Sequence, residues 1–371
     1  MEQKLKSNEY EEETEIFICD RCGCEVEEGD ETFFEEEYLC CNCLEQYTFI
    51  CHDCGIRHWS DEGHAYDADY ICNDCYYYSY TACDDCGRII HNEDAHYLSS
   101  HDDYGYCESC FNDRMPCIHE YDYKPEPIFY GSGLFYGVEL EVDEGGEDHD
   151  NAQEILRTAN KTEELIYIKR DGSLKNGFEI VTHPMSLEFH QNQMPWQEIL
   201  NIALSMGYSS HNCSTCGLHV HVGREALGNT YELQEEAIGR ILYFIEAFWD
   251  KLLIFSRRTN AQIVKWANRY GLLNSPKETL RGAKQMLSNR YVCLNLRNCS
   301  TIEFRMFRGT LKYQSFIAVI QLVDAICKLA INLDDKSFQA LTWEEFTDSV
   351  NKTEKLALLK YMKSKQLVGG K

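Results

Sequence analysis

Six Cys-x-x-Cys pairs in the first third of the chain constrain its folding more than any other feature of the sequence. They form three units, each with one pair at its start and one at its end, and the units begin 32 residues apart at Cys19, Cys51 and Cys83. The paired cysteines are Cys19, Cys22, Cys40, Cys43, Cys51, Cys54, Cys72, Cys75, Cys83, Cys86, Cys107 and Cys110. Because units this short cannot bury a core, a metal or a cross-link must supply their folding free energy.

The pairs predict three structural Cys₄ zinc sites rather than disulfides, because no secretion signal precedes them. A glycine follows the first pair of each unit, where it lets the chain turn so that its amides approach the sulfurs. We expect both pairs of one unit to share a zinc; a cross-braced arrangement, in which alternate pairs share one, stays open. Three cysteines outside the pattern are expected to be free thiols: Cys24, Cys41 and Cys117.

Charge is distributed very unevenly along the chain. The formal net charge is −27, and residues 1–127 contain 33 acidic against 7 basic residues. Such a segment repels a phosphate backbone, so we predict no nucleic-acid partner and expect either a basic partner protein or a role in solubility. The most apolar run, Ala237–Ser256, is interrupted by charged residues, so we predict no membrane span and a cytoplasmic protein.

Beyond residue 130, four short segments alternate apolar and polar residues with the period of a β-strand. The segment Gly217–Gly223 places His219 and His221 on one face, opposite three apolar residues. In the other three segments the polar positions are Glu139 and Glu141, then Glu179, then Glu303 and Arg305.

If these strands join in one sheet, their carboxylates crowd together, and repulsion between like charges at low dielectric is costly. A divalent cation would relieve that repulsion, and carboxylates with some imidazole suit Mg²⁺ or Mn²⁺. The alternative, which stays open, is that each carboxylate is solvated on an exposed antiparallel face.

The same segments resemble motifs of the glutamine synthetase superfamily. Gly217–Val222 resembles its Gly-x-His-x-His strand, Val138–Val142 its Glu-x-Glu strand and Ile302–Arg308 its Glu-x-Arg strand. Further segments are similar to the amidoligase branch of that superfamily: Arg170–Leu174, Phe178–Val181, Pro184, Arg290–Tyr291, Asn295 and Arg308–Leu311. The resemblance covers about residues 130–330.

The resemblance implies an ATP-dependent enzyme that joins a carboxylate to an amine through an acyl phosphate. It implies that Glu139, His219 and Glu303 bind the Mg²⁺ or Mn²⁺ ion that contacts the nucleotide phosphates. Glu141 and Glu179 would bind a second ion nearer the substrate. Glutamine synthetases carry a further carboxylate pair that this sequence does not match, so the completeness of the second site stays open.

The resemblance also assigns catalytic and nucleotide-binding roles. Arg305, with Glu303 beside it and Arg308 as a helper, would stabilise the transferring phosphoryl group. The implied cofactor-binding residues are His221, Arg257, Arg258 and Asn295. Of these, His221 would contact the γ-phosphate, and the two arginines would bind the nucleotide or an acidic substrate. The carboxylate and amine are unidentified, and a protein or peptide is one option; a non-catalytic zinc-module adaptor with a degenerate ligase fold is the competing hypothesis.

Strands interleaved with helices predict an α+β protein. The resemblance implies a glutamine-synthetase-like catalytic domain with a mainly antiparallel sheet and packed helices, preceded here by an array of small zinc modules. The predicted boundaries are a disordered acidic lead at 1–16, zinc repeats at 17–115, a linker at 116–129, a catalytic domain at 130–365 and a flexible tail at 366–371.

Overall fold

The computed structural model describes residues 16–27, 29–97, 103–114, 117–286, 290–350 and 352–368. The chain divides into two compact units, with the boundary between residues 115 and 116. The predicted acidic lead lies outside the described residues except for Ile16, which begins the first strand.

The described residues of the first unit form ten short strands, three helices and two 3₁₀ turns. The strands are β1 (Ile16–Ile18), β2 (Glu25–Glu27), β3 (Thr32–Phe34), β4 (Glu37–Leu39), β5 (Thr48–Ile50), β6 (Arg57–Trp59), β7 (Gly63–Tyr66), β8 (Asp69–Cys72), β9 (Tyr80–Ala82) and β10 (Ile89–His91). The helices are α1 (Cys41–Tyr47), α2 (Asn73–Ser79) and α3 (Glu108–Arg114), and the 3₁₀ turns are Ser60–Glu62 and Asn92–Asp94. Each helix lies at the second Cys-x-x-Cys pair of its unit, so the sequence repeat is also a structural repeat.

The turn after the first cysteine pair has the same backbone conformation in all three repeats. Its glycine adopts φ of 72° at Gly23, 71° at Gly55 and 70° at Gly87, in the left-handed region that disfavours residues with a Cβ. Each glycine N–H donates to the carbonyl of the first cysteine of its pair, at 2.8 to 3.0 Å.

The second unit is built on an eight-stranded sheet. Its strands are β11 (Ile118–His119), β12 (Phe135–Val142), β13 (Ile166–Lys169), β14 (Phe178–Thr182), β15 (Met185–Ser186), β16 (Gly217–Gly223), β17 (Leu294–Asn295) and β18 (Thr301–Arg308). They are ordered β11-β13-β14-β12-β16-β18-β17, and β15 also pairs with β12. Every pairing is antiparallel except that of β11 with β13, which confirms the predicted antiparallel-rich α+β class.

Eleven helices follow or connect these strands in the described residues. They are α4 (His149–Ala159), α5 (Leu187–Asn192), α6 (Trp196–Ser205), α7 (Tyr231–Ala247), α8 (Trp249–Ser256), α9 (Asn260–Trp266), α10 (Pro276–Lys284), α11 (Tyr313–Asn332), α12 (Asp335–Ala340), α13 (Trp343–Ser349) and α14 (Leu356–Ser364), with a 3₁₀ turn at Glu225–Leu227.

One apolar core joins the sheet to these helices. Val138, Leu140, Val220 and Phe304, from the apolar faces of β12, β16 and β18, are fully buried in the same cluster as α7 and α11. At about 1.5–3 kcal/mol for each such side chain, this burial fixes which face of each strand points inward. The opposite, polar face of these strands therefore points away from this core, and the candidate site lies on it.

Helix α11 is long and apolar enough to cross a membrane by length and composition alone, but 78% of its apolar window is buried inside the protein. Helix α11 is therefore a core helix of the second unit.

Two predicted boundaries need correction. In the predicted linker, Ile118–His119 pairs in parallel with β13, because Ile118 enters the core and Arg170 N–H donates to the His119 carbonyl. In the predicted tail, Leu367 is buried and its carbonyl accepts a 2.6 Å hydrogen bond from Trp343 Nε1. Residues 369–371 lie outside the described part of the chain.

Candidate active site

The hydrogen-bonding register of the sheet brings the polar residues of the four strand motifs together. Three pairs lie directly across from one another: Glu139 with His219, Glu141 with Glu179, and His221 with Glu303. Paired side chains on one face of an antiparallel sheet have Cβ atoms about 5 Å apart. The strands β14, β12, β16 and β18 are consecutive neighbours, so their polar residues form one cluster.

His219 lies at the centre of the cluster and is only 3% exposed. Its Nδ1 is 3.3 Å from Glu139 Oε2 and 3.6 Å from Glu303 Oε1, and its Nε2 is 3.8 Å from Glu141 Oε1. A Cβ at Gly217 would lie 2.5 Å from His219 Nε2, which no real contact tolerates. Glycine at 217 is therefore what lets the imidazole occupy this position.

Glu139 and His221 form an ion pair beside that imidazole, with His221 Nε2 3.2 Å from Glu139 Oε1. Burial raises the pKa of Glu139, but the charge of His221 and hydrogen bonds from His219 and His221 outweigh burial and hold the pKa well below its usual value. Burial lowers the pKa of His221, but Glu139 more than compensates and raises it overall. The expected mutual repulsion of the carboxylates is thus partly relieved by the protein's own cations.

Glu303 is held by two neighbours on the polar face. The Arg305 guanidinium pairs with its Oε1, and Asn295 Nδ2 donates to its Oε2 at 2.8 Å. Burial raises the pKa of Glu303, but the charges of His221 and Arg305 outweigh burial and lower it. Among the described residues, Arg305 Nε is buried and has no hydrogen-bond partner, so one donor of this guanidinium remains available.

Lys169 is a site residue that the sequence analysis missed. Its Nζ lies 3.4 Å from Glu179 Oε2, and both side chains are buried. Burial and the neighbouring Glu139 raise the pKa of Glu179 well above its usual value; burial lowers the pKa of Lys169, but Glu179 raises it overall. The signal was present in the sequence, because Ile166–Lys169 alternates apolar and polar residues as the four recognised strands do.

A cleft of about 510 Å³ opens over the cluster. It is lined by Tyr121, Asp122, Lys124, Glu139, Lys169, Asp171, Glu179, His219, His221, Arg290, Asn295, Arg297, Asn298, Glu303 and Arg305. Seven of the site residues predicted from the sequence therefore line one cleft. The remaining lining residues add both acidic and basic side chains to it.

A smaller cavity adjoins the cluster and contains Arg258 and Glu141, with His219 and Arg305 shared between both cavities. Burial raises the pKa of Glu141 and lowers that of Arg258 to about 10. Within the described chain, Nε and one terminal nitrogen of Arg258 are buried without a hydrogen-bond partner. This guanidinium therefore retains donors for an anionic ligand.

Arg257 and Arg308 line neither cavity. Arg257 has a left-handed backbone, φ 62°, at the end of α8, and its guanidinium donates to the carbonyls of Arg308 at 2.9 Å and Gly309 at 3.4 Å. The Arg257 side chain thus stabilises the C-terminal end of β18. From the sequence we expected a nucleotide contact instead. The Arg308 carbonyl accepts the first of these hydrogen bonds, and the Nε of Arg308 is buried without a hydrogen-bond partner among the described residues.

The cluster suits a small divalent cation. Glu139, Glu179 and His219 each offer one ligand atom, and all three atoms lie within 4.8 Å of one another. Two carboxylates and an imidazole are ligands that Mg²⁺ and Mn²⁺ accept. The expected grouping of Glu139, His219 and Glu303 stays a prediction; Glu303 Oε1 lies 3.6 Å from His219 Nδ1 and is also engaged with Arg305 and Asn295.

Three thiol clusters occur in the first unit, and in each the ligand atoms lie within 4.8 Å of one another. They are Cys19, Cys22, Cys24 and Cys40; Cys51, Cys54, Cys72 and Cys75; and Cys83, Cys86, Cys107 and Cys110. Both pairs of a unit meet in one cluster, as expected, and the cross-braced alternative is wrong. Cys24, expected to be a free thiol outside the pattern, lies in the first cluster.

Comparison with known proteins gives one family. The family model described as "Putative amidoligase enzyme" matches residues 139–327, half of the chain. No curated protein matches the chain. Among the solved structures that match is a bifunctional glutathione synthetase from Pasteurella multocida, with 14% identity and a TM-score of 0.31 over 62% of this chain and 40% of that one. A likeness at that score carries no argument about fold or function.

Proposed function

The chain belongs to the amidoligase family, and from that premise we propose that it is an ATP-dependent ligase that joins a carboxylate to an amine through an acyl phosphate. We further propose that the second unit has the glutamine-synthetase-like fold that the strand motifs resemble. The observation that carries the proposal is the register of the sheet, which places Glu139 beside His219 and His221 beside Glu303 at the floor of one cleft.

In the proposed reaction the substrate carboxylate attacks the γ-phosphate of ATP, ADP leaves, and the amine then displaces phosphate from the acyl phosphate. Such a reaction requires positioning and charge neutralisation rather than covalent catalysis by the protein. A cation bound by Glu139, Glu179 and His219 would supply electrostatic stabilisation of the phosphate oxygens.

Arg305 and His221 are the protein's own cations at the point of phosphoryl transfer in this proposal. Arg305 keeps one guanidinium edge on Glu303 and leaves the buried Nε for a phosphoryl or carboxylate oxygen. His221, favoured in its charged form beside Glu139, would contact the γ-phosphate. Asn295 holds Glu303 in place and therefore positions Arg305 indirectly.

Arg258 and Lys169 refine the expected second metal site. We infer that Lys169 partly neutralises Glu179, which also offers a ligand atom to the proposed cation, since its ammonium lies 3.4 Å from that carboxylate. The unpartnered donors of Arg258 then suit an anionic group of the substrate or nucleotide next to Glu141.

The first unit is proposed to bind three structural zinc ions and to recruit a basic partner or protein substrate, since acidic residues dominate it. We also propose a cytoplasmic location, a reducing compartment in which the thiols would stay available to bind zinc.

Two measurements test the ligase proposal. The first is binding of Mn²⁺-ATP to the full chain by calorimetry, which needs no knowledge of the acceptors. Glu139→Gln should weaken binding at least about tenfold, whereas Glu198→Gln, at an exposed residue of α6, should not.

The second is ATP turnover with pooled carboxylates and amines, followed by transfer of ¹⁸O from a labelled carboxylate into phosphate. Labelled phosphate supports the acyl phosphate. Normal Mn²⁺-ATP binding by Glu139→Gln, with no turnover in any pool, would instead favour the non-catalytic adaptor.

A further inference from the structure

The first thiol cluster contains more ligands than one zinc ion can use. Besides the four thiols that lie within 4.8 Å of one another, Cys43 lies against Cys19, Cys22 and Cys40. A structural zinc site is tetrahedral and takes four ligands, so one of five thiols must remain unbound.

The repeat itself shows that Cys24 is an addition to an otherwise constant site. Cys24, Ile56 and Arg88 occupy the same place, two residues after the first pair of each unit. In all three repeats, the carbonyl at this place accepts from the N–H of the first cysteine of the pair, at 2.9, 2.8 and 2.7 Å. The backbone is therefore the same in each repeat, and a thiol directed at the cluster arises only from the side chain of Cys24.

We propose that Cys24 is a metal ligand of the first zinc site and can replace Cys43 there. The second and third sites have no such spare thiol among their described residues, because isoleucine and arginine stand at the equivalent positions. The two candidate ligands differ in access: Cys43 is 4% exposed, whereas Cys24 is exposed.

This difference has a chemical consequence. When Cys43 binds the metal, Cys24 is an accessible thiol beside a zinc site; when Cys24 binds it, the free thiol is buried. The first site thus offers two ligand sets of equal chemistry and unequal reactivity. Of the three proposed zinc sites, it is the one whose cluster would offer a thiol reagent a modifiable cysteine without first losing its metal.

The repeat supplies the controls for a test on the full chain. Zinc is counted by native mass spectrometry before and after a fixed exposure to a chelator, for the wild type and for serine substitutions of the last cysteine in each unit: Cys43→Ser, Cys75→Ser and Cys110→Ser. Cys24→Ile places at position 24 the residue that the second repeat carries at 56.

We expect Cys75→Ser and Cys110→Ser each to release one zinc equivalent that the wild type retains. Cys43→Ser should retain all three, as should Cys24→Ile, and the double variant Cys24→Ile/Cys43→Ser should release one. Loss of zinc from Cys43→Ser to the extent seen for Cys75→Ser would overturn the proposal. So would retention of three zinc ions by the double variant, or a wild type that binds fewer than three zinc ions. None of these outcomes involves ATP, so they are independent of the ligase proposal.

Discussion

The role proposed for Arg305 can be tested by a single substitution that keeps its charge. Arg305→Lys retains a cation near Glu303 but removes Nε, the buried donor that has no partner among the described residues. If that donor stabilises the transferring phosphoryl group, its contribution is made in the transition state and not in ground-state binding. The loss of one such donor in a water-excluded site costs about 3 kcal/mol, so turnover should fall by about two orders of magnitude.

The assay is steady-state ATP turnover with the carboxylate and amine found to support it, together with a melting curve of each protein. We expect the apparent affinity for ATP to change far less than turnover. Arg281→Lys, the same substitution at an exposed residue of α10, is the matched control and should leave both unchanged.

The competing explanation is that Arg305 only pairs with Glu303 to hold the sheet face together. In that case lysine would largely substitute for it, and any loss would be in stability rather than rate. Near-normal turnover with a lowered melting temperature would therefore refute the catalytic reasoning.

Three further predictions concern stability and metal binding. Without metal, Glu139→Gln should lower the melting temperature, because His221 loses its partner. The variant should also lose most of the further rise in melting temperature that Mn²⁺ gives the wild type; thermal scans with and without Mn²⁺ check both expectations. Phe304→Ala, which empties a fully buried site between sheet and helices, should cost about 3–5 kcal/mol in denaturant unfolding, and a loss under 1 kcal/mol would contradict the packing. Burial lowers the pKa of His190 to about 4, so stability should be full above pH 6.5 and fall by up to about 3 kcal/mol as the pH drops towards 4; His190→Gln should flatten that part of the pH profile relative to the wild type.

Strand alternation was enough to predict which residues of each motif share a face, because the spacing of apolar residues decides which face is buried. It could not predict which residues lie opposite one another, because register depends on all the connections between strands. The pairs Glu139 with His219 and Glu141 with Glu179 therefore became visible only in the structure. The alternation of Ile166–Lys169 indicated the face on which Lys169 lies, but its pairing with Glu179 across the sheet was likewise visible only in the structure.

The helical spacing of apolar residues likewise indicated correctly where helix forms, but it did not indicate where a helix is interrupted. The apolar residues between Ile238 and Leu253 have the spacing of one continuous helix, but the chain breaks at Phe248 into α7 and α8. No glycine or proline marks this break, so local chemistry gave no warning. Cys24 escaped prediction because a repeat pattern defines ligands by spacing, whereas its thiol reaches the cluster through a turn.

The sequence distance between site residues has a consequence for the order of folding. Glu139 and His219 are 80 residues apart, and Glu303 lies on a later strand, so the cation site of the second unit exists only after most of the sheet has been assembled. The thiol clusters close over much shorter loops; Cys54 and Cys72, for example, are 18 residues apart. Because loop closure over short distances is faster, each thiol-cluster repeat can fold locally before the strands of the second unit have paired. A divalent cation would then bind the second unit only after its strands have paired. It would slow unfolding and would not initiate folding.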